Sequence, residues 1–238
     1  MKRVFVPGAA QGALELTGPA FHHLAVVLRV KAGDAIEVFD GQGKAFDAKV
    51  VDVKESALTM ELGVARAMPP PRRVTIVQGL PKADKLELVL QKGTELGASA
   101  FLPAAARRSI VKLEGKEEKK LERWRRIVEE AARQCGRADV PDMLQPCSLD
   151  ALSLPGTAVL VLDEAEKALP LSRALETLPA DQPIALVIGP EGGLDRAEVA
   201  ALVERGAQAV TLGKNVLRTE TAALAALAVI RHLEGLLG

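Results

Sequence analysis

Tyrosine is absent from this chain of 238 residues, and the remaining aromatics are five Phe and one Trp. The core must therefore be built mainly from Ala, Val and Leu. Cys135 and Cys147 are the only cysteines, with no Cys-x-x-Cys between them, which excludes a disulfide framework. Three histidines without ligand spacing argue against a metal centre. His22 and His23 are adjacent and face different ways in most conformations, so packing or polyanion contact suits them better than ligation. The longest wholly apolar run, residues 222–230, has nine residues, far short of the roughly twenty of a spanning helix. The first ten residues are too short in apolar character for a signal peptide. Together these absences point to a reducing cytoplasm. Gly-x-Gly-x-x-Gly, Gly-Lys-Ser/Thr and Gly-x-Ser-x-Gly are missing too. A dinucleotide, a nucleoside triphosphate and a serine-nucleophile hydrolase are all disfavoured.

What is present is a charge asymmetry hidden inside a net charge of zero. Residues 1–67 carry 8 basic and 8 acidic side chains, residues 72–137 carry 16 and 9, and residues 138–238 carry 7 and 14. The middle third is a basic block of the kind that contacts a polyanion. Its stretch "KLEGKEEKKLERWRR" also reads as a solvated helix face with internal ion pairs.

The prolines of "MPPPRR", residues 68–73, mark a boundary, because consecutive prolines continue neither a helix nor a central strand. Before it, at residues 1–67, lie short alternating runs: "RVFV", "ALEL", "AIEVFD", "AFDAKVVDV" and "ALTMEL". Turn residues separate them, including Gly-Gln-Gly at 41–43, and one helix is expected near residues 19–28. This reads as a small β-barrel. After the boundary, at residues 72–238, strands and helices alternate. "VTIVQGL", "SAFLP", "AVLVLD", "IALVIG" and "QAVTL" are strands. "KLELVLQKGTELG", "EKKLERWRRIVEEAARQC", "RAEVAALVER" and "TETAALAALAVIRHLEGLL" are helices. Asp195 with Glu198 gives the third helix a capping box. The pattern is α/β, with a mostly parallel sheet covered by helices on both faces.

Three loops follow strand ends: after "AVLVL", after "IALVI" and after "QAVTL". Ligands of open α/β sheets bind outside those ends. The middle loop is unusual. "IGPEGGL" places Gly189, Gly192 and Gly193 around Pro190 and Glu191, more glycine than a plain strand-to-helix turn needs, which points to close approach of backbone to a ligand. The third loop leads into "LGKNVLRTETAALAAL", whose five alanines leave a thin helix face. Arg218 and Glu220 flank its start, where an acidic residue also suits the helix dipole.

These paired stretches closely resemble the 16S rRNA uridine-N3 methyltransferases, within the SPOUT class of knotted methyltransferases. "FHHLAVVLRVKAGD" with "VFDGQG" resembles that family's PUA-like RNA-binding domain. "QKGTELGASAFLPAAARRS" and "RWRRIVEEAARQCGR" resemble its central stretches. The resemblance spans nearly the whole chain. It implies a C-terminal trefoil knot, S-adenosylmethionine as methyl donor, a homodimer, and 16S rRNA or the small ribosomal subunit as substrate, with no metal and no membrane. It places the cofactor against Leu162, Asp163, Glu164, Gly189, Pro190, Glu191, Gly192, Gly193, Leu212, Gly213, Val216, Leu217 and Thr219. Arg218 becomes the candidate for stabilising a uridine anion. Glu220 is a proton acceptor, an orienting partner of Arg218, or a helix-start charge. Arg3, Arg29, Lys31, Arg108, Arg133 and Arg137 are candidates for RNA contact, the last two on one face if their helix extends that far. A knotted ribose 2′-hydroxyl methyltransferase and a non-catalytic RNA-binding factor are the alternative readings. The "HHLAVVLR…GD…VFDG" pattern favours the uridine enzyme over the first, and the cofactor-loop glycines with Arg218 argue against the second.

Overall fold

The computed structural model describes residues 2–6, 8–40, 44–67, 71–109, 117–137 and 139–237. The Gly-Gln-Gly turn at 41–43, residues 68–70 of the proline boundary and the side chain of Arg3 lie outside what is described. The chain divides into two compact units, Met1–Pro70 and Pro71–Gly238.

In the first unit the strands are β1 (Lys2–Phe5), β2 (Gly12–Leu16), β3 (Ala35–Phe39), β4 (Lys44–Val53) and β5 (Leu58–Ala67). They form one sheet in the order β1-β3-β4-β5-β2. The β1–β3 pair is parallel and the others are antiparallel. Along β4 the period of two puts Ala48 and Val50 inside and Lys49 and Val51 outside. A register shift between Phe46 and Ala48 lets both Ala45 and Phe46 face inward. The helix between β2 and β3 is split: α1 (Gly18–His22), with Pro19 in its first turn, runs into a π-helical turn at His23–Val27. Leu24 from that turn is fully buried with Ile36, Val38, Phe46, Leu58, Met60 and Leu62.

The second unit follows the expected alternation. Its elements are β6 (Val74–Gly79), α2 (Lys85–Glu95), β7 (Ala100–Ala105), α3 (Glu117–Gln134), β8 (Asp142–Met143), β9 (Cys147–Ser148), β10 (Ala158–Leu162), α4 (Leu171–Glu176), β11 (Ile184–Ile188), α5 (Arg196–Glu204), β12 (Gln208–Val210) and α6 (Thr219–Leu233). Every strand pair in this sheet is parallel, in the order β12-β10-β11-β6-β7-β8, with β9 also on β7. All five residues of β11 are buried, as its unbroken apolar sequence requires. Successive residues feed opposite layers. Ile76, Leu160 and Leu186 pack with α2, α4 and α6 residues such as Leu90, Ala174 and Leu227. Val77, Val161 and Val187 pack on the other side with Val199 and Leu202 of α5. The Asp195–Glu198 capping box is present in full.

The strand order matters for function. The chain builds outward through β6, β7 and β8, then crosses to β10, returns to β11 beside β6, and leaves again to β12. The C-terminal ends of β10, β11 and β12 therefore open side by side where the winding reverses, and a crevice is expected there.

Candidate functional site

A cavity of about 410 Å³ occupies that place. It is lined by all three loops, with Leu162, Asp163 and Glu164 from the first, Gly189, Pro190, Glu191 and Gly193 from the second, and residues 210–219 from the third. Among the sequence candidates for the cofactor, Gly192 alone does not line it.

The middle loop owes its shape to what its glycines lack. A Cβ on Gly189 would lie 2.8 Å from the Gly193 carbonyl carbon and 2.9 Å from the Leu194 nitrogen, so the loop folds back over Gly189 only because that position is bare. Gly193 has φ +70, a left-handed conformation that costs a side-chain-bearing residue strain. Gly192 is bare for another reason. Its flank is covered by Arg108, whose Cβ would stand 3.3 Å from an added Cβ, and whose Nη1 donates to the Gly192 carbonyl at 3.1 Å.

Thr219, the first residue of α6, is buried and acts as a fastener. Its hydroxyl donates to the Gly189 carbonyl at 2.6 Å and accepts from Gln78 Nε2 at 2.7 Å. Gln78 is a buried polar residue near the end of β6, and its Oε1 has no hydrogen-bond partner. The "VTIVQG" run carried that signal in sequence, since a buried amide in a central strand must bond something. The third loop is tied down as well: the Thr211 nitrogen donates to the Leu169 carbonyl, so β12 stops at Val210, short of the "QAVTL" run.

Asp163 lines the cavity, but its carboxylate is already engaged. Arg196 Nη1 and Nη2 each reach one oxygen at 2.7 Å, and the Ala165 nitrogen donates to Oδ1 at 3.0 Å. Burial pushes the carboxyl up, yet the Arg196 fork and the backbone donor outweigh it and hold it below the ordinary value. This geometry makes Asp163 the anchor of its loop. Sequence reasoning missed Arg196, whose partner is 33 residues away.

Glu191 is turned to α2. Lys85 Nζ pairs with its Oε1 at 3.0 Å, and the Lys82 nitrogen donates to both oxygens, at 3.1 and 3.3 Å. Burial raises the Glu191 carboxyl, but the Lys85 hydrogen bond, the backbone donors of Glu191 and Lys82 and the Lys85 charge together outweigh it, so the net displacement is downward. Glu220 sits nearby with Oε2 buried, without a hydrogen bond, 3.7 Å from Lys85 Nζ. The Arg218–Glu220 pair that sequence proximity allowed is not formed. Arg218 is exposed, precedes α6 in extended conformation, and has no ion-pair partner among the described residues. Lys85, absent from the sequence candidates, is the cation of this corner.

The basic candidates separate. Arg29 and Lys31 are exposed, as are Arg108 and Arg133. Arg137 is committed elsewhere: Nη1 donates to the Thr94 and Ala98 carbonyls at 2.9 and 2.8 Å, and Nη2 reaches Asp139 at 2.6 Å. The helix ends at Gln134, so Arg133 and Arg137 do not share a helix face. Arg137 is therefore withdrawn as an RNA contact, because its guanidinium holds one carbonyl in the last turn of α2 and one just beyond it. Among the described residues no His/Cys/Asp/Glu group has the arrangement to hold a metal. No helix among them is long and apolar enough to cross a membrane.

An all-parallel sheet whose three adjacent loops close a glycine-lined cavity defines an α/β domain in a chain that also carries a small β unit, and comparison with known proteins gives both parts a family. Residues 68–231 match the RNA methyltransferase domain and residues 16–62 the RNA methyltransferase PUA domain. The chain is 39% identical to ribosomal RNA small subunit methyltransferase E of Bacillus subtilis, over 100% of this chain and 98% of the relative. It is 38% identical to the protein of the same name in Mycobacterium bovis, over 87% and 82%. A crystal structure of ribosomal RNA small subunit methyltransferase E from Neisseria gonorrhoeae, bound to S-adenosyl methionine, matches with a TM-score of 0.58 at 32% identity and covers 98% of both chains. This chain belongs to the RNA methyltransferase family, in its ribosomal RNA small subunit methyltransferase E branch.

Proposed function

We propose that the protein uses S-adenosylmethionine to methylate N3 of one uridine in the 16S rRNA of the small ribosomal subunit. The observation that carries this is the cavity built from the three strand-end loops. It offers backbone and glycine surface and the cations Lys85, Lys167, Lys214 and Arg218, with no cysteine, histidine or metal-holding cluster among its described residues. The cofactor fits there on the chemistry of the lining: Gly189 and Gly193 present bare backbone, while Leu162, Leu212 and Leu217 supply apolar contact to an adenine. Pro190, Gly213 and Val216 complete that wall, and Thr219 holds it to α6. Asp163 serves by orienting its loop through Arg196. Glu164 and Glu191 are the free and the tethered carboxylates at the rim. Gly192 contributes through Arg108, outside the cavity.

When bound, the cofactor supplies an electrophilic methyl on a sulfonium sulfur, and the carbon–sulfur electron pair stays on sulfur as the N3–carbon bond forms. The protein must hold the uracil in line and ease removal of the N3 proton. Loss of that proton leaves the electron pair on the ring, spread over N3 and the flanking O2 and O4. Arg218, exposed at the cavity and without an ion-pair partner among the described residues, is the donor for this planar anion. Glu220, with its buried unbonded oxygen, is the proton acceptor.

The small unit, read as a PUA-like barrel, carries the RNA grip through Arg3, Arg29 and Lys31, joined by Arg108 and Arg133 of the large unit. The trefoil knot is supported by the path of residues 211–219, which runs from β12 past Leu169 and bonds to Gly189 at the end of β11. A homodimer and a cytoplasmic site of action complete the reading. Mass mapping of 16S rRNA with and without the protein tests it: 3-methyluridine at one position is expected. Methyl on a ribose hydroxyl, or no methyl at all, would overturn it.

A further inference from the structure

Lys85 occupies a position that local rules oppose. It is the first residue of α2, where a cation meets the positive end of the helix dipole. Two residues earlier Ala83 has φ +53, a left-handed conformation rarely taken by a residue with a side chain. Two such departures in one turn are expected where function, not folding, sets the sequence. The side chain reaches the cavity wall. There Nζ gives one hydrogen bond, to Glu191 Oε1 at 3.0 Å, and lies 3.7 Å from Glu220 Oε2, beyond hydrogen-bond range. An ammonium has three donors, and the structure uses one of them at bonding distance among the described residues. The side chain is a third exposed, so water or a ligand can take the others.

We propose that Lys85 is a second catalytic cation, acting with Arg218 to stabilise the uridine N3 anion by donating to one of its two carbonyl oxygens. This rests on the uridine-N3 reading above. Deprotonation breaks N3–H, sends the proton to Glu220, and leaves the electron pair delocalised over N3, O2 and O4. Two oxygens gain charge, and one guanidinium beside a single carbonyl leaves the other without a donor. Lys85 and Arg218 belong to different elements that converge on one cavity, so they can flank the ring from two sides. The hydrogen bond from Lys85 to Glu191 raises the ammonium's pKa above the ordinary value, which keeps it charged through neutral pH. Tethered to Glu191, the cation is held in place before the substrate arrives, as a preorganised donor must be.

The test uses small subunits reconstituted with 16S transcripts containing either uridine or 5-fluorouridine. Fluorine at C5 withdraws electrons and makes N3 more acidic, so an enzyme short of one anion-stabilising donor should lose less on that substrate. Lys85→Met is expected to lower single-turnover methylation of uridine roughly tenfold or more, with cofactor affinity by calorimetry and the melting temperature close to wild type. On 5-fluorouridine the deficit should shrink several-fold. Lys85→Gln, which is uncharged but still a donor, should show a smaller deficit with the same relief and serves if Met disturbs the Glu191 corner. Turnover near wild type overturns the proposal, as does an equal loss on both substrates or a loss traced to cofactor affinity without fluorine relief. Should the wild-type protein place its methyl elsewhere than N3, the uridine-N3 reading fails first and Lys85's role fails with it.

Discussion

At the scale of single residues, the cavity separates groups whose side chains are committed from groups left available. Asp163, Thr219 and Arg137 spend their polar atoms on the protein itself. Arg218 does not, and this makes it testable. Arg218→Lys keeps the charge but loses the planar fork. We expect turnover to fall on the order of a hundredfold with cofactor affinity unchanged. If turnover per folded molecule stays near wild type and only the melting temperature drops, Arg218 is structural. Asp163 gives a prediction in pH. Its folded pKa is depressed, so its contribution to stability is present above the ordinary carboxyl range, near pH 4, and is lost as pH falls through the lower folded value. Asp163→Asn should therefore melt well below wild type at neutral pH. The gap should narrow steadily in melts taken from about pH 4 downward; a constant gap would mean that the charge is irrelevant.

Between elements, the informative contact is the start of α6 on the loop after β11. Thr219→Val keeps the volume and removes the hydroxyl, leaving the buried Gly189 carbonyl without this donor and Gln78 Nε2 with only its bond to the Gly79 carbonyl. Each unmet buried group costs about 1–3 kcal/mol. Denaturant unfolding should show a loss of that size, together with weaker cofactor binding, because the loop it fastens forms the cavity. Binding at wild-type strength would sever the link between α6 and the loop. Local pattern alone made the α/β alternation legible, down to the Asp195–Glu198 capping box. It missed α4, β8 and β9, which are only two to six residues long and carry too few residues to display a period. It was also blind to pairings across large sequence distances. Arg196–Asp163 and Lys85–Glu191 unite residues from different elements, and no run of sequence shows both partners. Of the glycines expected to meet a ligand, Gly189 and Gly193 line the cavity, whereas Gly192 stands against Arg108 instead.

For the whole molecule, the basic middle third resolves into different fates. Arg123 and Arg126 pair with Glu87 and Glu122 on exposed helix faces, as the solvated-face reading expected. Arg108 stands exposed, with Nη1 on the Gly192 carbonyl at 3.1 Å and Nη2 3.4 Å from Asp195 Oδ2. Self-association belongs to this scale as well. The expected particle is a closed pair, so light scattering at micromolar concentration should give twice the chain mass of 25.2 kDa. A value equal to one chain would remove the dimer.

The bond between Thr219 and Gly189 joins residues 30 positions apart, and the later one closes the cavity. During synthesis Gly189 is therefore added thirty residues before the residue that fastens its loop. An early portion of the polypeptide, however well its sheet has formed, has a loop without its fastener. The cavity is in this way completed only when the last helix begins, late in synthesis.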